Sequence, residues 1–241
     1  MTQTMEPMAP LQNVGICLTA LDRAMSRPRH LPGLVVFHGP SGWGKSTGAV
    51  VAANAHRAYY VEGRSTWTRK AMLTAMLKEM GIQPGRTIPE MADQAAEQLA
   101  LSGRPLIIDE MDHVVERGLA QIVKDIYEAS RAAIMLIGEE GLPGKLERWE
   151  RFHGRILNWV AAQPASLEDA AELARFWCPG VRMGADLLRR IHDLSQGSAR
   201  RICVNLELAR ERAAELGLDT VDLAALSGLA FYTGRAARRD I

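Results

Sequence analysis

The chain has 241 residues, 47% hydrophobic and 24% charged, with 29 Lys and Arg against 28 Asp and Glu. This is ordinary globular composition, long enough for one large domain or a core domain with a small satellite. It excludes an acidic disordered chain and a histone-like basic one, while leaving room for a local basic surface within a neutral total. No run of about 18 apolar residues occurs, so no membrane span is expected. The first residues lack both the charged and the apolar region of a signal peptide, and a cytoplasmic protein is expected. Cys17, Cys178 and Cys203 are odd in number and widely spaced. They match no zinc spacing and no disulfide framework, which points to reduced thiols.

Residues 1–33 read as an N-terminal helical extension, with helical material from Val14 to Met25 and a breaker cluster from Pro28 to Gly33. From there strand and helix patterns alternate. Leu34 to His38 is a short apolar run, Gly44 to Ala55 a helix, and Ala58 to Val61 a second strand. Thr68 to Met80 carries apolar residues at helical spacing and stops at Gly81, and Pro89 to Leu101 is another helix. Pro105 to Asp109 reads as a buried strand, Leu119 to Arg131 as a helix, Ala133 to Ile137 as a strand, and Arg155 to Val160 as a fifth. The alternation predicts an α/β core over 34–164 with a mainly parallel sheet between helices. Beyond Pro164 the strand signals stop. Ser166 with Asp169 resembles a capping box, Leu187, Leu188, Ile191 and Leu194 share a face, and Thr220 is placed to cap a last short helix. Residues 165–241 are therefore expected to form a small all-helical domain ending in a basic tail.

Gly39-Pro40-Ser41-Gly42-Trp43-Gly44-Lys45-Ser46 fits the phosphate-loop pattern G-x-x-x-x-G-K-[ST], with a strand before it and a helix after it. Glycines let the backbone wrap an anion, and the loop and helix-start N–H groups then face phosphate oxygens. Lys45 would reach the terminal phosphates, Ser46 would place its hydroxyl on Mg²⁺, and Thr47 would support the turn. Trp43 would pack on the nucleotide or, preferably, make a structural contact. Asp109 and Glu110 end a neighbouring buried strand. Asp109 would hold the Mg²⁺ shell and Glu110 would orient and polarise the attacking water. A kinase needs no water activator, so the Asp-Glu pair favours hydrolysis of ATP. Asp112 is expected to cap the following segment.

Five segments in order, GPSGWGKST (39–47), LIIDEMDH (106–113), IMLIGEEGLPGKL (134–146), RWERFHGRI (148–156) and QGSARR (196–201), resemble the AAA+ ATPases. Their spacing is similar to that of the ATPase subunits of DNA transposition systems of the phage Mu B type. The resemblance covers roughly residues 10–215. It implies a P-loop AAA+ fold with a five-stranded sheet and helical lid, ATP and Mg²⁺ as ligands, and subunits assembled in rings or helical filaments. On the matching positions it implies a sensor at Glu139, where relatives often carry Thr or Asn. It also implies a trans-acting arginine finger at Arg151, with Arg148 and Arg155 as rivals, and a lid sensor at Arg200, with Arg201 as an alternative.

No base-reading module stands out. Arg64 to Lys70 carries three positive charges and no acid. Arg64, Thr66, Thr68, Arg69 and Lys70 are the candidate contacts to DNA phosphates, with Arg117 and Lys124 as further candidates. The expectation is an ATP-dependent, sequence-non-specific binder of double-stranded DNA that assembles on a target and recruits or stimulates a transposase. If the chain is phage-encoded, this happens in the bacterial host cytoplasm. The alternatives are a AAA+ ATPase with another client, helicase-loader-like or secretion-associated, and lastly a small-molecule kinase.

Overall fold

Apolar runs rich in β-branched residues and lacking alternation suit strands buried on both faces. In the computed structural model, which describes residues 9–235, they form β1 (Leu34–His38), β2 (Tyr59–Glu62), β3 (Leu106–Asp109), β4 (Ile134–Gly138) and β5 (Ile156–Ala161). The five strands pair in parallel in the order β2-β3-β4-β1-β5. Every residue of β3 and β4 is buried, whereas the edge strand β5 is half-exposed. β2 to β5 each begin one residue inside the apolar run that marks them.

The helices of this part are α1 (Gln12–Met25), α2 (Lys45–His56), α3 (Arg69–Glu79), α4 (Ile88–Ser102), α5 (Met111–Glu116), α6 (Ala120–Ser130), α7 (Leu142–Glu147) and α8 (Glu150–His153). Their starts follow from local chemistry. Thr68 Oγ1 accepts from Ala71 N and caps α3. Thr87 and Glu90 form a reciprocal capping box, which starts α4 at Ile88 rather than at Pro89. The short helices α5, α7 and α8 carry too few residues for a periodic pattern, and sequence reasoning did not resolve them. One continuous core joins α3, α4 and α6 to the sheet, with Met72, Leu77, Met91, Leu99, Ile126 and Phe152 fully buried.

The chain divides into two compact units. The first holds residues 14–40 and 45–162, so α1 from Val14 onward groups with the sheet rather than standing apart as an extension. The second holds the described residues up to Asn13, Ser41–Gly44, and the chain from Gln163 onward. In it lie α9 (Leu167–Trp177), α10 (Ala185–Ser195) and α11 (Ala199–Leu216). Ser166 and Asp169 do form the expected capping box. This unit is not purely helical: β6 (Arg182–Met183) and β7 (Thr220–Val221) pair in parallel. Thr220 therefore caps no helix. Arg182 N donates to Asp219 O at 2.8 Å and Gly184 N to Val221 O at 2.7 Å, which holds 219–221 extended. Residues 223–228 are turns, the first carried by Leu223 N on Asp186 Oδ2. The end of the basic tail, 236–241, lies outside the described residues. Among the described residues no helix is long and apolar enough to cross a membrane.

None of the three cysteines is in a disulfide. Burial, with the Asp109 charge adding to it, pushes the Cys17 thiol up to about 12, and burial pushes Cys178 up to about 11 and raises Cys203. The thiolate is the reactive form, so a raised value suppresses reaction at neutral pH. At pH 8 all three native thiols are expected to react slowly with an aromatic disulfide reagent, and to react together once the protein is unfolded in guanidinium. A fast stoichiometric reaction of Cys17 in the native protein would contradict its buried place against Met135 of β4.

Candidate active site

The loop between β1 and α2 is built by its glycines. Gly42 and Gly44 take φ of 81° and 83°, in the left-handed region that side chains with a Cβ rarely enter. At Gly42 a Cβ would lie 2.7 Å from Ser198 Oγ, so close packing independently requires glycine there. Lys45, the first residue of α2, turns its side chain back over the loop, donating from Nζ to Gly39 O at 2.7 Å and Pro40 O at 2.9 Å. Burial lowers its amine from the ordinary lysine range, against the opposing pull of Asp109, Glu110, Glu139 and Asp112. The first turn of α2 contains no acid, so the positive end of its dipole is left for an anion. Ser46 is exposed and Thr47 half-buried.

Two strands away, β3 delivers the carboxylates. Asp109 is 3% exposed. Its Oδ1 accepts from Glu110 N at 2.8 Å and its Oδ2 from the Tyr60 hydroxyl at 3.0 Å. Burial, with Asp109 beside it, drives the Tyr60 phenol far above its ordinary range and keeps it a donor. Glu110 follows with φ of 50°, a left-handed conformation that costs a non-glycine residue about 1–2 kcal/mol. Its carboxyl is raised by burial first and by Asp109 second, which makes it a better proton acceptor than an ordinary carboxylate. Gly63 abuts this turn. Its N donates to Asp109 O at 2.8 Å, and a Cβ there would meet Glu110 O at 2.6 Å.

These groups suit a nucleotide with Mg²⁺. An ionised carboxylate offers about four acceptor sites, and protein donors occupy two of those on Asp109. Among the described residues no cluster of three or more His, Cys, Asp or Glu exists to hold a metal alone. Mg²⁺ in phosphoryl-transfer sites is held by one or two carboxylates together with substrate phosphates and water, so a lone buried carboxylate with spare acceptors fits it.

The remaining candidates fall in different places. Glu139 is exposed just past β4, its backbone N donating to Asp112 Oδ2 at 2.6 Å. Arg148 and Arg151 are exposed on α7's end and on α8, while Phe152 anchors α8 in the core. Arg155 is engaged within its own chain, bonding Glu128 Oε1 through Nε at 2.9 Å and a terminal nitrogen at 2.5 Å. Lys124 is likewise held by Asp125 and Glu128 at 2.9 and 3.0 Å, and Arg117 donates to Ser65 O. Arg200, in the first turn of α11, has an exposed side chain, and its N donates to Gly42 O at 3.1 Å. The Trp43 carbonyl accepts from Asn13 Nδ2 at 2.7 Å, and the Trp43 ring lies beside Gly197. Arg64, Thr66, Thr68, Arg69 and Lys70 are all exposed around the buried Trp67.

Sequence reasoning missed four residues. Asn13, 4% exposed, also donates to Gln163 O and accepts from Gln163 N. Ser198, which caps α11 and bonds Gly42 O, was visible only as a Ser before a helical run. Tyr60 and Gly63 carried no signal, because their partners are far along the chain.

Residues 29–146 match the family model described as an AAA domain. The match covers 118 of the 241 residues, just under half of the chain, and solved structures share the fold. The Aeropyrum pernix ORC1 protein in complex with DNA is 18% identical, with a TM-score of 0.63, over 91% of this chain and 65% of that one. The Aeropyrum pernix ORC2 protein in its ADP form is 16% identical, with a TM-score of 0.67, over 94% and 70%. Cdc6p from Pyrobaculum aerophilum is 13% identical, with a TM-score of 0.64, over 92% and 66%. The chain thus spans just under two thirds of the first of these relatives. No curated protein matches the sequence. The expected P-loop fold, with its five-stranded parallel sheet, is present; membership of the Mu B-type family is not among these findings.

Proposed function

We propose that the protein is a Mg²⁺-dependent ATPase whose nucleotide state controls binding to duplex DNA. The observation that carries this is the set of strand exits in the AAA domain. β1 leads into the loop ending at Lys45, and β3 presents a buried Asp109 followed by a Glu110 of raised proton affinity. Lys45 and the loop bind and orient the triphosphate. Glu110 accepts the proton of the attacking water as its oxygen bonds the γ-phosphorus and the bond to the β-phosphate oxygen breaks. Ser46 and Asp109 are the residues that would hold Mg²⁺, which neutralises charge on the phosphates when bound. Arg151, exposed and adjacent to a buried anchor, is the residue best placed to serve a neighbouring subunit's ATP in a ring or filament. Glu139 and Arg200 then act as contacts that report nucleotide state.

Two observations support a DNA partner. Arg64, Arg69 and Lys70 with Thr66 and Thr68 form an exposed basic entrance to α3. Lys70, Thr74 and Lys78, four residues apart on α3, continue it into a groove of about 580 Å³ that Arg86 also lines. The groove's far wall is braced by Glu90 on Arg86 N and by Gln94 on Gly85 N. The named DNA complex of a relative with the same fold agrees with this partner. The order of motifs resembling Mu B-type proteins makes a transposase the client we favour; a loading role on DNA is the second reading, favoured by the ORC and Cdc6p folds.

The test is fluorescence anisotropy of a labelled random duplex at fixed moderate salt, with ATP and Mg²⁺, with ADP, and with neither. Tight binding is expected only with ATP, lost in Lys45→Ala, and falling steeply with salt because the contacts are to phosphates. Binding in no state overturns the DNA reading. Stimulation of strand transfer by a purified transposase decides the client.

A further inference from the structure

The β3–β4 ladder ends at Ile108↔Leu136, one residue short of the Asp109-Glu110 pair. Past that point another group holds the two strand exits together. Asp112, in the first turn of α5, is 4% exposed. Its Oδ2 accepts from Glu139 N at 2.6 Å, and its Oδ1 accepts from Lys145 Nζ at 2.8 Å. Lys145 also donates to Glu116 Oε1 at 2.7 Å, at the far end of the same short helix.

A buried carboxylate is costly unless charged or polar donors compensate it. Here a cation and a backbone N–H do so. Both donors come from the chain after β4, and the acceptor comes from the chain after β3. The surroundings are shaped for this side chain. A Cβ on Gly138 would lie 2.3 Å from Asp112 Oδ2 and 2.7 Å from Leu142 Cδ2, so β4 can end this close to α5 only with glycine. The expectation that Asp112 caps the following segment is thus replaced by a long-range role, because its carboxylate bonds residues 27 and 33 positions away.

We infer that Asp112 is a positioning residue for ATP hydrolysis: its carboxylate sets the exit of β4 against the turn that carries Glu110. The inference rests on the proposed ATPase reading. Glu110 is two residues before Asp112 and lies in a left-handed turn, so a change in how α5 is seated moves the base. The glycine loop and Lys45, between β1 and α2, make no hydrogen bond to this linkage, which holds Glu139 by its backbone N and reaches Lys45 only through the charge of Asp112, one of four acids that act on it. Loss of the linkage therefore reduces turnover and spares binding, because a misplaced base is felt only in the transition state.

The test compares the full-length protein with Asp112→Asn and Lys145→Met. Asparagine keeps the shape but loses the charge, and one of the two donors then meets an amide NH₂. In Asp112→Asn, kcat is expected to fall about ten- to a hundredfold, as for a displaced catalytic group. KM and the Kd for a fluorescent ADP should stay within about twofold. Lys145→Met keeps the Glu139 N bond and is expected to show a smaller loss of kcat in the same direction. Hydrogen exchange at the Glu139 amide, which does not depend on activity, is expected to quicken in Asp112→Asn. Unchanged kcat in a folded Asp112→Asn protein, or equal losses in kcat and nucleotide affinity, overturns the positioning role alone. A wild-type chain that binds nucleotide but never turns it over overturns the ATPase reading, and this inference with it.

Discussion

Glu110→Gln is expected to lower the rate of ATP hydrolysis by about 10²–10⁴-fold, the range for losing a general base. Glutamine keeps the length and the hydrogen-bonding shape of the side chain, so the left-handed turn at position 110 and the packing of Gly63 against its carbonyl are retained. What disappears is the proton acceptor, which burial and Asp109 had made more basic than an ordinary carboxylate. On the proposed reading nucleotide binding rests on Lys45 and the glycine loop, and it is expected to survive. If the proposed DNA switch holds, the variant should keep ATP and remain on duplex DNA where the wild type lets go. Lys45→Ala should behave oppositely, losing nucleotide and the DNA binding that depends on it. Single-turnover hydrolysis with a fluorescent nucleotide titration separates the two. Hydrolysis by Glu110→Gln within a few-fold of wild type would assign the base to another residue.

Phe152→Ala is expected to destabilise the unit that holds the five-stranded sheet by about 3–5 kcal/mol, the cost of emptying an aromatic site in a packed core. Phe152 is fully buried in the same cluster as Leu142 and Leu146 of α7 and is the anchor of a helix of only four residues. Such a helix has no stability of its own and holds its place through that side chain. The urea midpoint should fall without a change in slope. Arg151→Ala, one position away and exposed, removes no core contact and should leave stability within about 0.5 kcal/mol. It is expected instead to cut turnover in assembled protein, since on the proposed reading it acts on a neighbour's ATP. A stable Phe152→Ala protein would mean that α8 is held by other contacts.

The core strands and the phosphate loop were legible because each is encoded by adjacent residues. Unbroken apolar runs marked β1, β3 and β4, and the glycine spacing before Lys45 marked the loop. The Asp109-Glu110 pair was visible for the same reason. Arg155 was not separable from Arg148 and Arg151 by sequence, since only the fold brings Glu128 to it across 27 positions, whereas the partners of Lys124 lie one and four positions on in α6. The strand at Thr220–Val221 was misread because a Thr before a short apolar stretch has the signature of a helix cap. Its pairing with Arg182–Met183 depends on residues nearly forty positions away.

By itself, then, the sequence determined the class of fold, the order of the five core strands along the chain, and where the glycine loop and the acidic pair fall. Those depend on local periodicity and on backbone freedom at particular glycines. Only the tertiary structure decided that Asp112 spans two strand exits, that Tyr60 and Gly63 brace Asp109 and Glu110, and that Arg155 is engaged within its own chain while Arg151 is exposed. A side chain's partners there are chosen by which strand lies beside which, and the strand order β2-β3-β4-β1-β5 is a property of packing the whole sheet rather than of any one segment.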